Sequence, residues 1–221
     1  MVKLRMHFTK TGRARFISHL DLMQVLRRAM LRAGLPLRYS EGYNPHAVMS
    51  VALPLPVGVG GLCEIMDFSL THPVALEALP RAITAVLPEG ITVLDVTAEA
   101  RPVREIAKAR YDIVFQGAAE QGAALRAVFD GRPLMVEKRT KKGTGIIDIA
   151  PVVAVERIFV RSAGDGDAPD GLYLQIVLPT ENPSLAPEHV LAAVRGEWPA
   201  CAAYPAQAVR TATLGADGVA F

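Results

Sequence analysis

The sequence predicts an α+β fold built from two tandem ferredoxin-like units. Three observations predict it. The first is a two-residue alternation from Lys3 to Phe8, which puts Leu4, Met6 and Phe8 on one face and Lys3, Arg5 and His7 on the other. The second is a helical stripe of Leu22, Val25, Leu26, Ala29, Met30 and Ala33 directly after that strand. The third is that the order strand, helix, strand, strand, helix, strand occurs twice along the chain, as in the split βαβ architecture.

Each element has its own signal. A polar loop, Thr9 to Arg13, follows the first strand. Ser18 then caps a helix, with Asp21 three residues later as a short capping box. Gly34 ends this helix and Pro36 prevents its continuation. Strands over 48–53 and 63–70 flank a proline- and glycine-rich loop from Pro54 to Gly61. Pro73 opens a second helix that runs through Leu87, Pro88 stops it, and 91–96 closes the unit as a strand. In the second unit, strands are expected over 111–115, 134–138, 153–160, 172–178 and 208–214. Helices are expected over 120–129 and from Pro187 to Arg195, so this unit carries one added strand. The turn from Gly164 to Gly171 lacks the closing glutamate of a calcium loop and is expected to be a hairpin connection. The boundary falls between Arg101 and Lys108, which gives domains 1–104 and 105–221.

Composition excludes several classes of function. Of the 221 residues, 51% are apolar, enough for a real core, and with 6% aromatic the packing falls to Ala, Val and Leu. Two cysteines, Cys63 and Cys201, exclude a disulfide scaffold and are too few for a four-iron cluster. The histidines His7, His19, His46, His72 and His189 have no zinc spacing with them. The chain has neither a triphosphate loop nor a dinucleotide fingerprint, so no cofactor is expected. The uncharged run from Gly42 to Cys63 is broken by Pro45, Pro54, Pro56 and four glycines, which excludes a membrane-spanning helix there. With no secretory signal at the start, a cytoplasmic location is expected.

The net charge of +2 conceals an uneven distribution. Residues 1–50 hold nine Lys/Arg against Asp21 and Glu41, and residues 101–150 hold ten against six acids, while the intervening and final segments are net acidic. Such asymmetry points to a polyanion partner. Three segments supply candidates. Lys10, Arg13, Arg15 and His19 surround the start of the first helix, where free N–H groups suit a phosphate, and Arg27, Arg28 and Arg32 lie off its apolar stripe. Tyr39, Tyr43 and Asn44 stand in a long loop ending at His46, suited to contact with a splayed base. Lys138, Arg139, Lys141 and Lys142 form a basic loop suited to a phosphate backbone, and Lys141 and Lys142 are expected to share one face with Arg27, Arg28 and Arg32. Capping, a packed connection and a solvated turn are the respective structural alternatives.

The strings Phe8–Gly12, Phe16–Leu22, Tyr39–His46 and Pro54–Val59, with Lys141-Lys142-Gly143 and Ile147-Asp148-Ile149, resemble the radical-SAM-linked protein family, a bacterial domain of unknown function. The resemblance covers most of the chain and is most specific over the first 70 residues. It implies a domain fused to, or encoded beside, a cobalamin-binding radical-SAM protein, with an accessory role in RNA metabolism. A fainter similarity, to the tandem ferredoxin-like endoribonucleases that process CRISPR repeat RNA, supports the architecture.

Three functions compete. The first is an accessory RNA-binding module, without catalytic activity of its own, that presents RNA to a radical-SAM partner protein. The second is a metal-free endoribonuclease-like enzyme with His19 as general base and His46 as general acid, since imidazole is the side chain most often used for both tasks. The third is a protein-only adaptor whose apolar Pro54–Leu62 loop docks on the radical-SAM enzyme, with no salt-dependent polyanion binding.

Overall fold

The structure is a computed structural model that describes residues 2–98, 101–140, 143–162 and 169–221. It divides into two compact units, Met1–Glu105 and Ile106–Phe221. In the first, β1 (Val2–Lys10), α1 (His19–Arg32), β2 (Met49–Ala52), β3 (Gly60–Leu70), α2 (Leu79–Thr84) and β4 (Ile91–Ala98) follow in order. The strands pair antiparallel as β4-β1-β3-β2, the ferredoxin-like order. Leu4, Met6 and Phe8 of β1 and Met66, Phe68 and Leu70 of β3 are buried with Leu22, Leu26 and Met30 of α1 and Ile83 of α2. The other face of the sheet carries Lys3, Arg5, His7 and Asp67.

The helix caps follow from the sequence. The Ser18 side chain accepts the Asp21 N–H at 3.2 Å, and its hydroxyl donates to the Asp21 carboxylate at 2.6 Å. At the other end Gly34 takes a φ of +77°, and the N–H groups of Leu35 and Gly34 close onto the carbonyls of Met30 and Leu31 at 3.0 Å. This is a Schellman closure, and the left-handed backbone it needs is the reason for glycine there.

The second helix corrects the expectation that it begins at Pro73. It begins at Leu79 and ends at Thr84, with Pro80 in its first turn. A helix running from 73 would place Pro80 in its interior, where the ring clashes with the preceding turn and an N–H is missing.

The second unit contains β5 (Ile106–Phe115), α3 (Gly122–Val128), β6 (Met135–Thr140), β7 (Gly143–Asp148), β8 (Ala154–Arg161), β9 (Gly171–Pro179), α4 (Pro187–Glu197) and β10 (Ala206–Gly215). Its main sheet has the order β10-β5-β9-β8, the same topology with β6 and β7 inserted as a separate two-stranded ribbon. The tandem ferredoxin-like reading therefore holds. The segment expected as a basic loop after residue 138 is instead largely strand, because β6 continues to Thr140 and β7 begins at Gly143. Leu134, Val136 and Ile149 bury the base of the ribbon.

Arg5 is one of the buried charged groups of the first sheet. It is 4% exposed, grips Asp67 on the facing strand through two bonds of 2.7 and 2.9 Å, and donates to the Arg101 carbonyl at 2.6 Å. Removing one partner of a buried pair leaves the other charge desolvated, typically at a cost of about 3–5 kcal/mol. Asp67→Ala is therefore expected to lower the stability to urea unfolding by about 3 kcal/mol or more. A loss below about 1 kcal/mol, the range of surface pairs, would contradict this reading.

Candidate functional site

The basic side chains around α1 divide into two groups. Lys10, expected to contact phosphate, is only 1% exposed, and its Nζ donates to the carbonyls of Ile17 at 2.8 Å and Arg15 at 3.4 Å. This corrects its assignment, because an ammonium bound to backbone in the interior orders the 12–17 turn and does not face a ligand. The N-terminus of α1 is likewise occupied, since Ser18 and Asp21 already cap it. Arg15 stacks its guanidinium on Phe16 at 4.8 Å, Arg27 reaches Gln24 at 3.4 Å, and Arg32 donates to the Val86 carbonyl. Arg13 and Arg28 are exposed and have no hydrogen-bond or ion-pair partner among the described residues.

The Tyr39–His46 loop is closed at its base. Tyr39 and Ala47 form an isolated bridge. Ser40 N–H donates to the His46 carbonyl at 2.8 Å, and His46 N–H donates to Ser40 Oγ at 3.1 Å. Ser40 Oγ also lies 2.9 Å from His46 Nδ1, so this hydroxyl holds both backbone and ring. Beyond the clasp Tyr43 is 107% exposed and Asn44 is exposed beside it. At the foot of the loop lies an open groove of about 320 Å³, lined by Lys3, His46, Ser50, Asp67 and Ser69 among others. Asp67 is neutralised there by Arg5. The groove presents the exposed Ser50 and His46 to a small polar ligand.

His19 and His46 do not come together. Val48, two residues from His46, accepts the Ser69 N–H at 3.0 Å, and Ser69 pairs with Lys3 of β1. His19 follows Ile17, which is tied to Lys10 at the other end of β1. Seven residues of extended strand, about 23 Å, separate these anchor points. A general base and a general acid must both reach one phosphodiester, so the geometry opposes this pairing.

In the second unit, Lys138 is half-buried and its Nζ binds the Ser184 carbonyl, while Arg139 is exposed on β6. Lys141 and Lys142 lie outside the described residues, as does most of the Gly164–Gly171 turn.

Two arrangements have no counterpart among the sequence candidates. His7 Nδ1 lies 2.7 Å from Asp95 Oδ1 across β1 and β4, with its Nε2 buried and without a partner. The described grooves do not reach it. On β8 and β9, Phe159 stacks on Tyr173 with centroids 5.2 Å apart, and Arg157 and Arg161 lie over these rings. The signal for it was the alternation Arg157-x-Phe159-x-Arg161, which puts all three side chains on one face of a strand. Burial raises the Tyr173 phenol above its usual range, and Arg161 opposes that shift. Burial also pushes the Cys201 thiol up, which disfavours the thiolate a nucleophile needs. Among the described residues no three His, Cys, Asp or Glu side chains are grouped to hold a metal ion, and no helix is long and apolar enough to cross a membrane.

A family model described as "Uncharacterized protein conserved in bacteria (DUF2344)" matches residues 3–182. No curated protein matches the sequence. Among solved structures, the chain is similar to the CRISPR-associated protein Cas6e from Escherichia coli K-12, with 11% identity over 85% of this chain and 88% of that one. The TM-score is 0.18, too low to bear on fold or function, so the ferredoxin-like assignment rests on the strand orders themselves.

Lys10 and the exposed arginines should respond differently to substitution. Lys10→Met is expected to destabilise the chain by about 2 kcal/mol, since the Ile17 carbonyl loses its donor while the Arg15 carbonyl keeps the Gly58 N–H. Arg13→Glu and Arg28→Glu should stay within about 0.5 kcal/mol of wild type, as surface changes do. Thermal and urea unfolding of the three variants checks both statements, and equal effects would refute the division.

Proposed function

We propose an RNA-binding role for this chain, which belongs to that bacterial family of conserved proteins. Arg13 and Arg28 bind phosphates of a single strand, and the clasped Tyr39–His46 loop offers Tyr43 and Asn44 to an exposed base. One observation carries the reading: both arginines stand exposed without a partner among the described residues, in a segment with nine cations and two acids. A phosphate would neutralise them at little desolvation cost. Tyr43 supports it, because an exposed ring on a closed loop can stack on a base with little further ordering. The groove beside His46 is at the small end of ligand sites and suits one sugar, base or phosphate group. The chain acts in this reading as an accessory module, and the resemblance to radical-SAM-linked proteins supplies the enzyme to which it presents RNA.

A protein-docking role is favoured by a different observation. Phe16, Leu20, Val57 and Leu62 are large apolar side chains left exposed. The Gly58 N–H ties the loop bearing Val57 to the Arg15 carbonyl at 2.9 Å, next to Phe16. Such side chains suit a protein partner, and the radical-SAM protein is the partner this reading names.

The two roles separate by salt. RNA affinity of the wild type is expected to fall as salt rises, and the double variant Arg13→Glu/Arg28→Glu should lower the slope of log affinity against log salt by about 0.7 for each phosphate no longer neutralised. Tyr43→Ala should change base preference and leave that slope unaltered. Filter binding at several salt concentrations, with circular dichroism of each variant, gives the answer. Wild-type protein that binds no RNA at low salt would leave only the docking role.

A further inference from the structure

We propose that strand β8, on the face of the second unit's sheet turned away from its helices, is a stacking platform for unpaired bases of single-stranded RNA, centred on half-buried Phe159 and capped by Arg157 and Arg161, with the buried ring of Tyr173 as its support. This rests on the RNA-binding reading above and adds a second point of attachment, of a different kind, in the other unit. The helix-covered face of this sheet carries Tyr111, Ile113 and Phe115 of β5 and Leu172, Leu174 and Ile176 of β9, all buried. Alternation then sends Arg157, Phe159 and Arg161 of β8 to the opposite face, beside Tyr173 and Gln175 of β9 and Asp112 of β5. A register shift between Val155 and Arg157 keeps this set in line, and the extra residue, Glu156, takes Arg110 through two bonds of 2.6 and 2.9 Å. Gln175 donates to Asp112 at 2.9 Å. The nearby carboxylates thus have partners of their own.

What remains is a layered stack. The rings of Phe159 and Tyr173 lie 5.2 Å apart with an interplanar angle of 21°. The Tyr173 hydroxyl donates to the Pro169 carbonyl at 2.6 Å, which fixes its ring. The Arg157 guanidinium sits over Phe159 at 4.5 Å, and that of Arg161 lies 5.5 Å from Phe159 and 5.2 Å from Tyr173. Neither arginine has a carboxylate partner among the described residues, and Arg157 is exposed. Planar cations laid on aromatic rings hold their own planes ready for another flat group, and their N–H edges for phosphate oxygens. Unpaired bases stack on aromatic side chains and on guanidinium planes alike, whereas a duplex keeps its bases inside. The ligand is therefore a single strand.

The test compares the full-length protein and its variants on three probes: a single-stranded uridine-rich RNA, an abasic ribose-phosphate oligomer of the same length, and an RNA duplex. Phe159→Leu, which keeps apolar volume, is expected to lose roughly tenfold in affinity for the single strand and nothing for the abasic oligomer. Arg157→Gln, at an exposed position that tolerates the change, should weaken the single strand and also lower the salt slope by about 0.7. Wild-type binding that both variants retain, while Arg13→Glu/Arg28→Glu lowers it, would overturn the platform and leave the RNA-binding reading intact. Equal wild-type affinity for single strand and duplex would also overturn it. A wild type that binds none of the probes would overturn both.

Discussion

Both units are governed by the two-residue period of their strands. Helices cover one face of each sheet, so every second side chain enters that core, and the polar ones among the alternate side chains must find partners on the other face. Leu4, Met6 and Phe8 meet the first demand, and Lys3, Arg5 and His7 face the second. The two units answer it differently. In the first, Arg5 is matched by Asp67 and His7 by Asp95 on the neighbouring strands. In the second, Arg110 is matched by Glu156, but among the described residues Arg157 and Arg161 meet rings and no carboxylate. Shared topology thus carries two different surfaces.

Desolvation likewise sorts the cations of the first fifty residues. It makes an interior ammonium or guanidinium a structural element, held by carbonyls or a carboxylate, as Lys10 and Arg5 are. Exposed cations contribute little to stability and remain available to a polyanion, as Arg13 and Arg28 are. Charge counted along the sequence adds both kinds together. Only burial separates them, and burial here depends on strand register: Lys10 lies opposite Gly61 and Ile91, where the 12–17 turn folds over it.

Register also decides which features were legible in the sequence. The alternation in β1, the Ser18 cap and the Gly34 stop are local patterns, and local patterns set those elements to within a residue or two. Pro80 was equally visible and limits α2 to two turns, yet the apolar run around it reads as a longer helix unless the missing N–H is weighed first. The β6–β7 ribbon was harder to see, because charged residues and the glycines Gly143 and Gly145 make the sequence there read as a loop. For the site, exposure of Tyr43 and Arg28 followed from their surroundings in sequence. The separation of His19 from His46 did not, since it is set by which end of β1 each neighbours.

The Ser40–His46 clasp and the Phe159 stack order exposed groups in two different ways. The clasp fixes the base of a loop with one hydroxyl bonded to both an N–H and a ring, so the entropy of ordering Tyr43 is partly spent on folding. The stack needs no loop, because adjacent strands hold Phe159 opposite Tyr173 and the pleat itself sets their separation. A loop can adapt to the base it meets and so discriminate among bases. A rigid sheet face accepts any flat group and contributes affinity with little selectivity. In the proposed role, base preference therefore falls to the Tyr39–His46 loop, and general grip on an unpaired strand to Arg157, Phe159 and Arg161.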